Sequence, residues 1–318
     1  MPDFICIGGQ RTGTTWLHHV LSANDTVWMP PCKELHHYDA LCAEVETYPY
    51  RYREHLGSRL RHYGLAAARA ATRRKLRPDV AVRLDPEWDL KYFLRPGRSP
   101  DWYRGLFETR AARGRVTGEI TPAYSLLPPD HVARIARELP KVRIIAILRD
   151  PVARARSHAL KDLPPEAARD PRRMIDFMRD PACFGRSDWP AILGRWRAEI
   201  PPERMLVLDF DDIRTDPAAF LAQVAAFLGT ELHLPEDATG GSLRERGSST
   251  YKAGGALSDE VLDGIADLYA PLLRACAREM PAMAAPWLAR NAALLSRVPD
   301  PEAATDPAPD PASEAAPA

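Results

Sequence analysis

Lysine is scarce in this chain: it accounts for six of the 43 basic residues, and arginine supplies the rest. The 43 acidic residues balance them, so the 318-residue chain carries no net charge and offers nucleic acid no whole-molecule attraction. An arginine bias of this size reflects coding composition, and clusters such as Arg69 to Arg77 read as a solvated helix face. Long apolar runs are missing too, and none reaches the roughly 18 residues that would mark a membrane span. No basic stretch followed by an apolar one opens the chain, so no secretory signal is expected and the expected location is cytoplasmic. The five cysteines, Cys6, Cys32, Cys42, Cys183 and Cys276, are odd in number and scattered. That is the pattern of reduced thiols, with Cys6 buried in a strand. Neither Cys-x-x-Cys nor His-Glu-x-x-His occurs, and His18-His19 and His36-His37 are adjacent pairs that do not share a helix face, so no metal site is expected.

What is present begins at the first residues. Phe4 to Ile7 is a short apolar run that enters a glycine-rich turn, Gly8 to Gly13, and opens into a helix over Thr14–Ser22. Glycines let the backbone approach an anion, successive N–H groups point at it, and the helix dipole adds partial positive charge. The frame fits a nucleoside-triphosphatase loop, except that Thr14 stands where the lysine belongs. The one cation of the turn, Arg11, comes earlier.

A second turn answers the first. Val142 to Leu148 is a continuous apolar run, the mark of a strand buried on both faces of a parallel sheet. Arg149-Asp150-Pro151 breaks it, and Val152 to Leu160 forms a helix that carries Ser157 eight positions after Arg149. The planar fork of an arginine donates two parallel hydrogen bonds to a phosphate, and a helical serine adds a neutral donor. A third basic stretch, Leu243 to Lys252, contains Arg244, Arg246 and Gly247.

Arg11-Thr12-Gly13-Thr14-Thr15-Trp16 resembles the 5′-phosphosulfate loop of sulfotransferases that use 3′-phosphoadenosine 5′-phosphosulfate (PAPS). Arg149 with Ser157 resembles their 3′-phosphate site, and Arg246-Gly247 resembles the loop that closes over the 3′-phosphate and adenine. The resemblance covers roughly Phe4 to Met280 and implies an α/β, three-layer, P-loop-like fold with a central parallel sheet flanked by helices. It implies that Arg11, Thr12, Gly13, Thr14 and Thr15 hold the 5′-phosphosulfate, that Trp16 stacks near adenine, and that PAP is the product. Magnesium is not called for, because PAPS has no β- and γ-phosphate pair to clamp.

The acceptor side lies in Pro31-Cys-Lys-Glu-Leu-His-His-Tyr-Asp39. Lys33-Glu34 followed by His36-His37-Tyr38-Asp39 resembles the Lys-Glu-x-His-Phe-Phe-Asp stretch of heparan-type carbohydrate sulfotransferases, which implies Glu34 as base and Lys33 as a nearby cation. Cytosolic members use a histidine, so His36 and His37 stand as alternatives, and a histidine titrates near neutrality without tuning. Gly118-Glu-Ile-Thr-Pro-Ala-Tyr124 looks like the Glu-Lys-[ST]-Pro-x-Tyr segment of the carbohydrate enzymes, but Ile120 replaces its lysine. Glu119 and Tyr124 then either line the acceptor side or mark a strand end with a proline turn.

The expectation is a bacterial, cytoplasmic, PAPS-dependent sulfotransferase that acts on a small-molecule or carbohydrate hydroxyl and has neither nucleic acid nor membrane as partner; a homo-oligomer remains open. The alternatives are a non-catalytic PAPS or PAP sensor and a P-loop nucleotide kinase. Residues 1–297 read as one domain, with a helical acceptor-side insertion at about 40–86, and residues 298–318 as a disordered acidic tail rich in proline and alanine. Further helices are expected over Asp101–Arg113, with Trp102, Tyr103, Leu106 and Phe107 facing the core, over Asp130–Leu139, and from Asp216-Pro217 to Leu228-Gly229, and a helix pair over Ser258–Met280. Val27–Met29 and Met205–Phe210 read as strands.

Overall fold

The computed structural model describes residues 1–42, 52–71, 84–94, 99–238 and 256–300. Five short strands, β1 (Phe4–Cys6), β2 (Val27–Trp28), β3 (Val116–Ile120), β4 (Arg143–Leu148) and β5 (Met205–Asp209), form one sheet in the order β2-β3-β1-β4-β5. Every pairing is parallel. The principal helices are α1 (Thr14–Ser22), α2 (Tyr52–Ala71), α3 (Pro86–Leu94), α4 (Pro100–Gly105), α5 (Pro129–Glu138), α6 (Pro151–Asp162), α7 (Pro171–Arg179), α8 (Trp189–Arg197), α9 (Pro217–Leu228), α10 (Asp259–Glu279) and α11 (Pro281–Arg290).

Alternation along the strands buries both faces of this sheet. Phe4 and Cys6 of β1 join Ile145 and Ile147 of β4 in one core cluster, which packs under Leu17 and Val20 of α1 and Phe220 and Val224 of α9. Ile5 and Ile7 join Ile144, Ala146 and Leu148 in the other, under Ile135 of α5, Ala155 of α6, Leu193 of α8 and Ile265 of α10. The result is the expected three-layer α/β architecture. Each fully buried aliphatic side chain contributes about 1.5–3 kcal/mol relative to exposure, so the strand ends that carry the candidate residues sit on a stiff base.

Caps explain where the helices begin and end. Asp216 accepts from the Ala219 N–H at 2.9 Å at the start of α9, and Gly229 ends it in the left-handed conformation at φ 68°. Elsewhere the structure departs from the sequence pattern. The expected helix over Asp101–Arg113 stops at Gly105, after which turns carry the chain to β3. The expected pair over Ser258–Met280 is a single helix, α10, that runs through Pro271, and α11 follows it. Within the expected insertion, α2 and the start of α3 are helical; positions 43–51 and 72–83 lie outside the described residues, as does the tail from 301.

Candidate active site

The candidate side chains gather at the C-terminal edge of the sheet, around the end of β1 where it lies between β3 and β4. In open α/β sheets this is the crevice in which ligands bind.

After β1 the backbone turns through two left-handed residues, Arg11 at φ 72° and Gly13 at φ 83°. Only glycine fits the second position, because a Cβ there would also meet Ile213 Cδ1 at 2.6 Å. Thr12 Oγ1 donates to the Gly9 carbonyl at 2.7 Å and closes the turn. Among the described residues no side chain caps α1, whereas Asp150, Asp170, Asp216 and Ser258 cap α6, α7, α9 and α10. The first N–H groups of α1 are thus left to the crevice, together with the positive end of the dipole.

The two phosphate-type turns meet. Arg149 Nη1 donates to the Arg11 carbonyl at 2.9 Å, and Arg11 Nε donates to Ser157 Oγ at 3.0 Å, which joins residues 138 and 146 positions apart. The Arg149 guanidinium lies over the Phe210 ring at 4.5 Å, a cation–π contact that the sequence did not announce. Arg244, Arg246 and Gly247 lie outside the described residues. Trp16 is a core residue: it is 7% exposed, sets its ring edge-on to Phe220 and donates its indole N–H to the Ala238 carbonyl at 3.2 Å.

On the other side of the crevice the loop after β2 is held by charge. Lys33 Nζ sits 2.6 Å from Glu34 Oε1 and 3.4 Å from Thr14 Oγ1, so it bridges this loop and the start of α1. His36 Nε2 faces Glu34 Oε2 at 3.6 Å, while its Nδ1 meets the buried Asp39 Oδ2 at 2.5 Å. Burial opposes ionisation of Glu34, but pairing with His36 and Lys33 outweighs it and holds the carboxyl well below the usual carboxylate range. Burial likewise opposes a charged His36, and Asp39 and Glu34 overcome it, which raises this histidine to about 9. Both Glu34 (φ 63°) and His36 (φ 53°) take the left-handed conformation that non-glycine residues avoid.

His37 is directed elsewhere. Its ring stacks on Tyr103 at 4.4 Å and 11°, and its N–H donates to Tyr124 Oη at 2.9 Å. Tyr124 also receives the Tyr38 N–H at 3.3 Å and donates to Glu119 Oε1 at 3.1 Å. Thr121 donates to the other oxygen of Glu119 at 2.7 Å, and Tyr103 donates to Oε1. Glu119 and Tyr124 are fully buried, so they are the strand-end support of the Lys33–Asp39 loop and do not line an open acceptor side. Burial pushes the Glu119 carboxyl up. Ile120 turns its side chain into the core under α1, and its carbonyl accepts the Glu34 N–H at 3.2 Å. Phe210 is a site-supporting residue that no residue type or spacing marks; Asp39 is signalled only by its place at the end of the Lys33–Asp39 stretch, and Tyr124 by its place in the Gly118–Tyr124 segment.

A profile of the sulfotransferase family matches residues 2–234. Mouse heparan sulfate glucosamine 3-O-sulfotransferase 3B1 is 28% identical over 226 residues, which cover 63% of this chain and 56% of that protein. The human bifunctional heparan sulfate N-deacetylase/N-sulfotransferase 3 is 32% identical over 154 residues, 43% of this chain and 17% of that protein. The chain thus spans little more than half of the mouse relative and a small part of the human one. Among solved structures, a sulfotransferase from Alicyclobacillus acidocaldarius shares the fold, with a TM-score of 0.54 at 20% identity over 88% of this chain and 96% of that one. No helix among the described residues is long and apolar enough to cross a membrane. The profile spans both phosphate-type turns and the Lys33–Asp39 loop, and the chain belongs to the sulfotransferase family.

Proposed function

We propose that the protein transfers the sulfuryl group of PAPS to an acceptor hydroxyl, with Glu34 as general base. The observation that carries this reading is the meeting of Arg11, Arg149 and Ser157 beside the uncapped N-terminus of α1, with the Lys33–Glu34 pair one loop away. Two guanidinium groups, threonine hydroxyls and unused N–H groups form a donor set that suits a ligand phosphorylated at two places. Arg149 and Ser157 would hold the 3′-phosphate, and the Arg11–Thr15 turn the 5′-phosphosulfate. PAPS, when bound, supplies an activated sulfuryl group and leaves as PAP.

The residues of this chain do the rest by position and charge. Glu34 is ionised at neutral pH and takes the proton of the acceptor hydroxyl as its oxygen attacks sulfur. His36 is protonated at neutral pH and lies between two carboxylates, so it orients Glu34 and is not itself the base. Lys33 lies between Glu34 and Thr14; as it moves toward the negative charge on the phosphosulfate side, Glu34 loses a cation and becomes a better proton acceptor. Lys33 also supplies the positive charge that Ile120 cannot. The heparan sulfate names of two relatives support a carbohydrate acceptor, and the 3-O-sulfotransferase name of the first supports a hydroxyl on it. Incubation with PAPS and a library of glycans and small hydroxyl compounds tests this: release of PAP together with a product heavier by one sulfonate is expected. PAP binding with no turnover on any acceptor would make the protein a sensor.

A further inference from the structure

One turn before Ser157 on α6 lies a buried arginine with no carboxylate partner among the described residues. Arg154 is fully buried. Its Nε donates to Ser187 Oγ at 2.5 Å, and Nη2 donates to the Cys183 carbonyl at 2.8 Å and lies 3.2 Å from Cys183 Sγ. Nη1 meets no acceptor among the described residues. The buried Arg186 nearby adds a second positive charge. Burial and then the charges of Arg154, Arg186, Lys161 and Arg11 push His158 down to about 3, although its Nε2 faces Asp162 Oδ2 at 3.0 Å. A guanidinium taken out of water without a counter-charge is costly, and an apolar side chain of similar length would fill the place without that penalty.

The neighbours of Arg154 show what it serves. Ser187, its main acceptor, is itself fully buried and donates to the Pro151 carbonyl at 3.2 Å, two residues from Arg149. Two residues beyond Ser187, Trp189 donates its indole N–H to the Arg149 carbonyl at 2.7 Å. The Trp189 ring also lies against Gly9, where an added Cβ would meet it at 2.5 Å and the Arg186 carbonyl at 3.2 Å. One guanidinium therefore pins the Cys183–Trp189 segment, and that segment touches the backbone of Arg149 on one side and the first turn of the phosphate loop on the other.

We propose that Arg154 is a positioning residue for the 3′-phosphate site: through Ser187 and Trp189 it fixes the backbone from which Arg149 and Ser157 reach the ligand. This rests on the PAPS reading above. The measurement is calorimetric titration of the full chain with PAP and with 5′-AMP, for the parent, Arg154→Met, Arg154→Lys and Ser187→Ala. The parent is expected to prefer PAP strongly. Arg154→Met should weaken PAP by about tenfold, the scale of mutations that act through a packed network. It should weaken 5′-AMP much less, so that the preference narrows. Arg154→Lys keeps the charge but lacks the fork that reaches Ser187 and Cys183 together, and should narrow the preference as well. Ser187→Ala should reproduce part of the loss; it decides the matter if Arg154→Met does not fold. A purely structural arginine would lower thermal stability and leave the PAP to 5′-AMP ratio of the folded protein at the parent value. That result, or full rescue by lysine, overturns the proposal. A parent that binds PAP and 5′-AMP equally would instead overturn the PAPS reading itself.

Discussion

The loop after β1 and the loop after β2 leave the same edge of the sheet, and each places two residues, two positions apart, in left-handed backbone: Arg11 and Gly13 in one, Glu34 and His36 in the other. They achieve opposite ends. In the first, a glycine takes the tighter bend, a threonine closes the turn on its own backbone, and the N–H groups of α1 face outward unused. In the second, two charged residues take the unfavourable conformation, and the loop is held from below by the hydroxyl of Tyr124 and from the side by Lys33, His36 and Asp39. A loop that binds an anion needs open donors. A loop that moves a proton, the role proposed for the second, needs a carboxylate whose partners are arranged in advance, and here left-handed backbone at two non-glycine residues accompanies that arrangement.

The comparison breaks most sharply at Glu34. If that loop is there for proton transfer, Glu34→Gln, which keeps shape and removes the basic oxygen, should lower turnover by about 10² or more while PAP affinity stays at the parent value. Steady-state rates on an identified acceptor beside calorimetry read both. Retention of most of the rate would assign Glu34 a structural role. Arg149→Ala removes, from the turn after β4, the guanidinium that holds the Arg11 carbonyl of the loop after β1, and the order of effects should reverse. PAP binding should weaken by about 2 kcal/mol, the scale of a charge-assisted bidentate contact, with 5′-AMP much less affected. Equal losses for both nucleotides would mean that Arg149 serves only to hold the Arg11 carbonyl.

The loop after β1 was legible in the sequence and the geometry of the loop after β2 was not, for a physical reason. Gly8, Gly13 and the apolar run before them are local signals of a strand, a bend and a helix start, and β1, α1, β4 and α6 fall within a residue or two of where those signals put them. Nothing in Lys33-Glu34-Leu35-His36 announces left-handed backbone at Glu34 and His36, because that conformation is imposed by contacts with distant residues, Ile120 and Tyr124. Strand β3 was legible only at its end, as the alternative reading of a strand end before the Pro122 turn, for a related reason. Val116-Thr-Gly-Glu-Ile120 carries a glycine and a buried carboxylate in mid-strand. The glycine is there because the Phe4 ring on β1 occupies the space a side chain would need, and the carboxylate is satisfied by three hydroxyls. Both are tertiary facts that appear in a linear pattern only as strand breakers.

Gly13→Ala sharpens the same comparison through stability. A Cβ in the left-handed conformation costs about 1–2 kcal/mol by itself, and here it would also press on Ile213 and on Phe210, the ring under Arg149. Thermal melts should show a loss of at least that size, and PAP binding should weaken along with it. A variant as stable as the parent would show that the turn relaxes and that its shape is not fixed by the core beneath.

The smallest effect belongs to His36 and is read as a slope. In the folded protein its pKa is raised from 6.5 to about 9, because Asp39 and Glu34 hold the proton against the opposing effect of burial. Below the unfolded value both states carry the proton, and the stabilisation from these pairings is fully present. Between 6.5 and about 9 the unfolded chain has lost the proton while the folded one keeps it, so the folded state binds more protons and stability must fall as pH rises. The slope is at most about 1.4 kcal/mol per pH unit for one proton. Above about 9 the contribution is gone. Urea unfolding at a series of pH values across that window should show the decline in the parent, and His36→Asn, which cannot take the proton, should flatten it. Turnover should follow the same limb, because a neutral His36 no longer orients Glu34 by charge. A parent whose stability is level from neutrality to pH 9, or a His36→Asn variant that declines as steeply as the parent, would remove His36 from the charge pairing that sets this loop apart from the one after β1.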